Sequence, residues 1–222
     1  MSRPWARVLA SASLLIAWMG QATACTAVPL PLASVNDRLN MPIEGEVSQA
    51  WACKDSAGEH VVLATRQTAP EPLHGTQIQF SKFTKSGASW KRDWLARDFL
   101  MDGGSGSSNA TSSEIILLKD ADGDGLAEVF IAYSLPGRAG EPDTGKLLIF
   151  YKGHKSAIRG AIARTAADFG SRKMDVGFQA LPSAVQSQAL QLWDRLSLPA
   201  NLNKDPLLQA SDPPSAGRRA SR

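Results

Sequence analysis

The segment 120–128 is the part of the sequence best suited to chemistry. It reads Asp-Ala-Asp-Gly-Asp-Gly-Leu-Ala-Glu, with carboxylates at relative positions 1, 3, 5 and 9. Calcium takes about six to eight oxygen ligands, and alternate residues of a tight loop direct their side chains towards one point. The sequence therefore predicts a calcium site, calcium being the cofactor. Its expected protein ligands are the side chains of Asp120, Asp122, Asp124 and Glu128 and the carbonyl of Leu126.

The spacing also indicates what kind of calcium site this is. Gly125 at position 6 permits a sharp turn with a left-handed backbone. An EF-hand is excluded because its twelfth position needs a bidentate Glu, whereas this sequence has Ile131 there. The alternative is an ordinary Asp/Gly turn without an ion. However, four negative side chains in nine residues repel one another unless a cation is bound, which favours the metal site.

The segments around this loop are typical of antiparallel strands. Residues 114–119 and 128–134 are continuous apolar runs, which we expect in the middle of a sheet. Three further hairpins are predicted, pairing 46–54 with 59–66, 76–84 with 89–99, and 146–151 with 154–161. Residues 182–196 have apolar side chains at helical spacing. The expected fold class is mainly β (α+β), a single-domain antiparallel sheet of hairpins with one C-terminal helix packed on it.

The predicted organisation places this domain at 46–200, behind a signal peptide at 1–24 and an extended lead-in at 25–45, and before a disordered tail at 201–222. Arg3 and Arg7 precede an apolar run at 8–19, and small residues end at Ala24, which is the plan of a secretory signal. No later segment is apolar enough to span a membrane. We therefore expect an exported protein, periplasmic or associated with the cell envelope.

The basic character of the chain comes from its ends. The formal net charge is +3, but two arginines lie in the predicted signal peptide and Arg218, Arg219 and Arg222 lie in the tail. The remaining body, residues 25–210, carries a net charge of −1. A nearly neutral body argues against a nucleic-acid partner.

Cys25 and Cys53 allow two interpretations. In an oxidising compartment they are expected to form a disulfide. Alternatively, Cys25 becomes the acylated first residue of a lipoprotein, although Ala22 stands where a large aliphatic residue is usual. The disulfide is the prediction, and the lipid anchor is the alternative.

Outside the loop, the sequence shows no catalytic arrangement. His60, His74 and His154 lack metal-ligand spacing and are expected at the surface. The tryptophans of the predicted strands, Trp51, Trp90 and Trp94, are expected to pack in the core or on a sheet face, with a sugar-stacking platform as the alternative.

Two family resemblances add to this interpretation. The loop resembles the calcium hairpin of FG-GAP repeats, the integrin-α-type propeller unit, whose acidic positions are occupied by Asp120, Asp122, Asp124 and Glu128. The sequence contains a single loop of this kind. The chain is also similar to an exported bacterial family labelled surface polysaccharide biosynthesis protein. The matching segments are Gly-Glu-His-Val-Val at 58–62, Glu-Val-Phe at 128–130, Lys-Leu-Leu at 146–148, Ala-Ile-Arg-Gly at 157–160 and Leu-Trp at 192–193.

The second resemblance implies a compact domain in the cell envelope and supplies no catalytic residues. The expected function is that of a non-enzymatic, calcium-stabilised envelope or periplasmic protein that binds polysaccharide or a protein partner. The alternative is a glycan-acting hydrolase or transferase.

Overall fold

The computed structural model describes residues 25–68, 75–101, 114–135, 137, 141–163 and 170–197. The strands in these residues are β1 Val28–Pro29, β2 Glu46–Asp55, β3 Gly58–Thr68, β4 Gly75–Ser86, β5 Ser89–Met101, β6 Glu114–Lys119, β7 Glu128–Leu135, β8 Asp143–Tyr151, β9 His154–Ile162 and β10 Lys173–Met174. The α-helices are α1 Val35–Leu39 and α2 Ser183–Ser197, and short 3-10 turns span Leu32–Ser34 and Phe178–Ala180. The signal-peptide and tail predictions lie outside the described residues.

The strands form two antiparallel sheets of five strands each, with the orders β1-β2-β3-β4-β5 and β10-β9-β8-β7-β6. Strands that are neighbours in sequence pair with each other, except β5 and β6, and all four predicted hairpins are confirmed. The mainly antiparallel β class is therefore confirmed. The expectation of one sheet is wrong in this detail, because the hairpins divide into two layers.

The two sheets share one apolar core. Because side chains alternate along a strand, one face of each sheet can point towards the other. Val62 and Phe80 from the first sheet belong to the same buried cluster as Ile131 and Leu148 from the second. Trp94 of β5 stacks on Phe150 of β8, with ring centroids 3.7 Å apart. The arrangement is a β-sandwich.

Strand β6 corrects a prediction about sheet position. Its continuous apolar run led us to expect a central strand, but β6 is the edge of the second sheet. Ile116 and Leu118 face the core between the sheets, whereas Ile115 and Leu117 pack with the cluster that contains α2. An apolar run thus indicates that both faces of the strand are covered, and an edge strand between two layers meets that condition.

Each outer face of the sandwich carries a helix. On the second sheet, the predicted helix α2 buries Val185, Ala189 and Leu192 in a cluster with strand residues such as Phe130 and Ile149. On the first sheet, α1 buries Val35 and Leu39 against β3. The lead-in, expected to be extended, therefore contains a 3-10 turn and a helix of five residues. Within the described ranges, no helix has both the length and the apolar character needed to cross a membrane.

The predicted disulfide is present. Cys25 and Cys53 are bonded, with their Cα atoms 5.6 Å apart. The bridge fastens the start of the lead-in to β2, beside the pairing of Val28 with Ala52. It occupies the Cys25 sulfur that lipid attachment would require.

Candidate metal site

The acidic loop joins β6 to β7, so its flanks are strands, as predicted. Gly123 and Gly125 have φ angles of 78° and 86°, in the left-handed region that favours glycine. These turns let the chain reverse while carboxylates project to one side. Ligand oxygens of Asp120, Asp122 and Asp124 all lie within 4.8 Å of one another, close enough to hold one metal ion.

Backbone hydrogen bonds hold these carboxylates in place. Asp120 accepts from the N–H of Gly123 at 2.8 Å through Oδ1 and from the N–H of Gly125 at 2.9 Å through Oδ2. Asp124 Oδ1 accepts from the Leu126 N–H at 2.8 Å. The loop is thus folded around its own acidic side chains, and oxygen ligands of this kind suit calcium.

Glu128 lies at the base of the loop and is 2% exposed. Its Oε2 accepts a hydrogen bond from the Ala121 N–H at 2.7 Å. Burial, together with the charges of Asp122, Asp124 and Asp120, raises the pKa of Glu128 to about 7. Glu128 does not belong to the three-carboxylate group, and its role as a ligand, like that of the Leu126 carbonyl, stays a prediction.

One cation from the chain already lies at the loop. Lys152, in the β8–β9 turn, forms an ion pair with Asp124, with 2.7 Å between Nζ and Oδ2. The hydrogen bond from Lys152 lowers the pKa of Asp124. This ammonium group balances a single carboxylate, so the loop with Glu128 ionised retains excess negative charge.

The β2–β3 turn of the first sheet hydrogen-bonds to this loop of the second sheet. Both the N–H and the Oγ of Ser56 donate to the Gly125 carbonyl, at 2.9 and 2.7 Å. Asp55 Oδ2 accepts from the Ala127 N–H at 2.9 Å. The loop therefore links the two sheets by polar contacts.

His60, in β3, hydrogen-bonds to Asp55 of this turn. It was expected at the surface, and that expectation is wrong because the side chain is buried. It is 2% exposed, with Nε2 donating to Asp55 Oδ1 at 2.8 Å and Nδ1 2.8 Å from Thr84 Oγ1. Burial acts to raise the pKa of Asp55, but hydrogen bonds from the Ala127 N–H, His60 and the Ala57 N–H outweigh it and lower that pKa. The sequence signal was available, since His60 precedes the Val-Val-Leu run of β3. His154 is exposed as expected, and His74 lies outside the described residues.

A second polar cluster lies between the sheets and was not predicted. Asp98 of β5 accepts from the hydroxyl of Tyr133 at 2.7 Å and from the ammonium of Lys146. Burial acts to raise the pKa of Asp98, but the hydrogen bonds from Lys146, Tyr133 and the Phe99 N–H outweigh it and lower that pKa. Every partner in this cluster comes from the protein itself.

The three tryptophans are packing residues. Trp51 and Trp94 pack against the core between the sheets, whereas Trp90 packs against the cluster beneath α1. A register shift in the β4–β5 ladder lies between Lys82 and Phe83, opposite the strand segment that joins Trp90 to Trp94. Core packing is thus confirmed, and Trp90 and Trp94 lie on opposite faces of the first sheet.

Fold and site together define a class of protein, a helix-flanked antiparallel β-sandwich with one acidic hairpin loop between its sheets. Comparisons with models of protein families, with curated proteins and with solved structures gave no match to this chain.

Proposed function

We propose that this chain is an exported, non-enzymatic calcium-binding protein of the cell envelope or periplasm, with a surface polysaccharide or an envelope protein as its partner. The observation that carries the calcium assignment is the convergence of Asp120, Asp122 and Asp124 within 4.8 Å. Export is supported by the pattern of residues 1–24, and the envelope by the resemblance of the sequence to the polysaccharide-biosynthesis family.

Electrostatics supports a divalent cation in the loop. Burial and, after it, the charges of Asp122, Asp124 and Asp120 raise the pKa of Glu128, so its own negative charge is disfavoured in the metal-free loop. A calcium ion would reverse that balance, because its two positive charges offset the repulsion among the carboxylates. Asp120, Asp122 and Asp124 would hold it, and Glu128 and the Leu126 carbonyl are the predicted additional ligands.

The surroundings of the loop support a structural role for the metal. Gly125 and Ala127, which alternate with the predicted ligands, contact Ser56 and Asp55 in the other sheet. An ion that fixes the loop would therefore also fix the contact between the sheets. Extracellular calcium modules commonly bind with dissociation constants of about 0.1–1 mM, which suits a stabilising clip.

The calcium proposal is tested by titrating the metal-free protein with calcium chloride in a calorimeter and recording its melting curve. We expect saturable binding and, at ~1 mM calcium, a stabilisation of about 1 kcal/mol. Asp122→Asn should abolish both effects, whereas Asp37→Asn, at an exposed position in α1, should preserve them. Absence of binding heat together with an unchanged melting temperature would contradict the proposal.

Export is tested separately by intact mass spectrometry of the protein recovered from the periplasm or envelope. Cleavage after Ala24 should give a chain that begins at Cys25 and carries the bond to Cys53. Reduction should then add about two mass units, one hydrogen for each sulfur. A diacylglyceryl group on Cys25 would instead establish the lipid-anchored alternative.

A further inference from the structure

A pocket of about 310 Å³ lies on the outer face of the first sheet. Its floor includes residues of β3 and β4, and one wall is the segment 41–44, which joins α1 to β2. Leu39, before this wall, is buried. Gly45, after it, has φ +81° and packs so closely that a Cβ there would lie 2.6 Å from the Arg66 carbonyl oxygen. The wall is therefore fixed at both ends.

The floor of the pocket is polar although it is buried. Thr65 and Gln79 are 5% and 3% exposed. Gln79 Nε2 donates to Gln77 Oε1 at 2.7 Å, which leaves the Gln79 amide oxygen available. Within the described part of the chain, the hydroxyls of Thr65 and Ser81 and this amide oxygen have no protein hydrogen-bond partner. None of these three atoms is fully shielded from solvent, so each faces the pocket and can bond a ligand hydroxyl in place of water.

These polar groups are arranged as a small platform. Leu63 pairs with Ser81, and Thr65 pairs with Gln79, so the four side chains form a block on two adjacent strands. Such a block measures about 5 Å across the strands and about 7 Å along them. Leu63 is itself almost fully buried, and the partly exposed Met41 and Ile43 of the wall add apolar surface. The floor and the wall together therefore offer hydrogen-bonding groups and C–H contacts over the area of one six-membered ring.

The lining also indicates the charge of the ligand. Only two of the lining residues are charged, Glu44 and Arg92, and both are exposed. Their opposite signs give the pocket no net preference for an anion or a cation. A purely apolar ligand is disfavoured, because it would leave Thr65, Gln79 and Ser81 without partners.

We propose that this pocket binds one or two units of an uncharged saccharide, with Thr65, Gln79 and Ser81 meeting its hydroxyls and Met41 and Ile43 meeting its C–H face. A volume near 310 Å³ is at the lower end of the range of about 300–1,000 Å³ for small-molecule sites, which suits a ligand of this size. This inference rests on the polysaccharide part of the proposed function and assigns it a location.

The experiment is an NMR titration of the whole mature protein with a panel of neutral sugars, namely galactose, mannose, N-acetylglucosamine, maltose and lactose, with glucuronate as a charged comparison. We expect at least one neutral sugar to give saturable amide shifts centred on Leu63, Thr65, Gln79 and Ser81. The double variant Thr65→Val/Ser81→Ala removes two hydroxyls with little change in volume, and it should weaken binding about tenfold or more. The matched control, Thr68→Val/Ser86→Ala, changes exposed positions on the same two strands and should bind normally.

Three results would overturn the inference: no saturable shift at the pocket with any neutral sugar, equal binding by the double variant and the wild type, or a preference for glucuronate. Calcium titration of the same samples separates this question from the metal proposal. A double variant that binds calcium normally and has an unchanged melting temperature is folded, so its loss of sugar binding reports on the pocket.

Discussion

Two polar groups lie near opposite ends of strand β7 and differ in how their negative charge is balanced. Near the end of the strand, Asp98 meets the Tyr133 hydroxyl and the Lys146 ammonium, and its pKa is lowered. At the start, Glu128 is buried and faces three further carboxylates, and both effects raise its pKa to about 7. The protein provides a counter-ion for the first group and leaves the second with excess negative charge. This difference indicates where an external cation is needed.

The largest expected effect comes from removing the internal counter-ion. Lys146→Met keeps most of the side-chain volume but leaves Asp98 without its ammonium partner. Breaking a fully buried ion pair commonly costs about 3–5 kcal/mol. Because both side chains are about one-fifth exposed, we expect the free energy of unfolding to fall by about 2 kcal/mol. Urea unfolding measures it. Lys155→Met, at an exposed position in β9, is the control. Equal stability of the two variants would show that the pair contributes little.

At the other end of β7, removing a charge should stabilise the metal-free protein. Glu128→Gln keeps an oxygen for the Ala121 N–H, and it removes both the burial of a charge and the repulsion with Asp120, Asp122 and Asp124. We expect the free energy of unfolding at pH 7 without calcium to rise by about 1 kcal/mol, and calcium stabilisation to be lost. Glu46→Gln, at an exposed position, should change neither. A less stable metal-free variant would contradict the charge argument.

Acid should weaken the Asp98 group. Its pKa in the folded protein lies below the ordinary value of 3.8, so its stabilising effect is present above that value and is lost as the pH falls through the folded pKa. We therefore expect the stability difference between the wild type and Asp98→Asn to shrink as the pH is lowered from about 6 to about 2. Urea midpoints measured across this range test the prediction. A difference that stays constant would show that Asp98 acts through packing alone.

The strands were predictable because their signals are local. The predicted segment 114–119 agrees with β6, and Pro182 precedes the first residue of α2 by one position. The division into two sheets was not predictable in this way, because an apolar run records how many faces are covered and not which layer covers them. Edge strand β6 has one buried face and one partly buried face, so both are covered as in a central strand.

The candidate site likewise combines local features, which the sequence predicts, with long-range contacts, which it does not. Asp120, Asp122 and Asp124 are close in sequence, so their convergence followed from spacing alone. Asp55 and Ser56 reach the loop from about seventy residues away, and only tertiary packing joins them to it. Likewise Thr65 and Gln79 look like ordinary polar strand residues in the sequence, and only tertiary packing places them in one pocket with residues 41–44.

The smallest expected effect concerns that long-range contact, and it tests whether the protein or the metal holds the loop. Ser56→Ala removes the Oγ bond to the Gly125 carbonyl and leaves the backbone N–H bond. We expect a loss of about 1 kcal/mol in the metal-free protein. Calcium affinity should fall only about twofold, because the carboxylates of the loop keep their own backbone hydrogen bonds. Calorimetry and urea unfolding measure both quantities, with Ser86→Ala as the control. A calcium affinity weakened tenfold or more would instead mean that the β2–β3 turn shapes the metal site, so that the loop depends on the opposite sheet for its geometry.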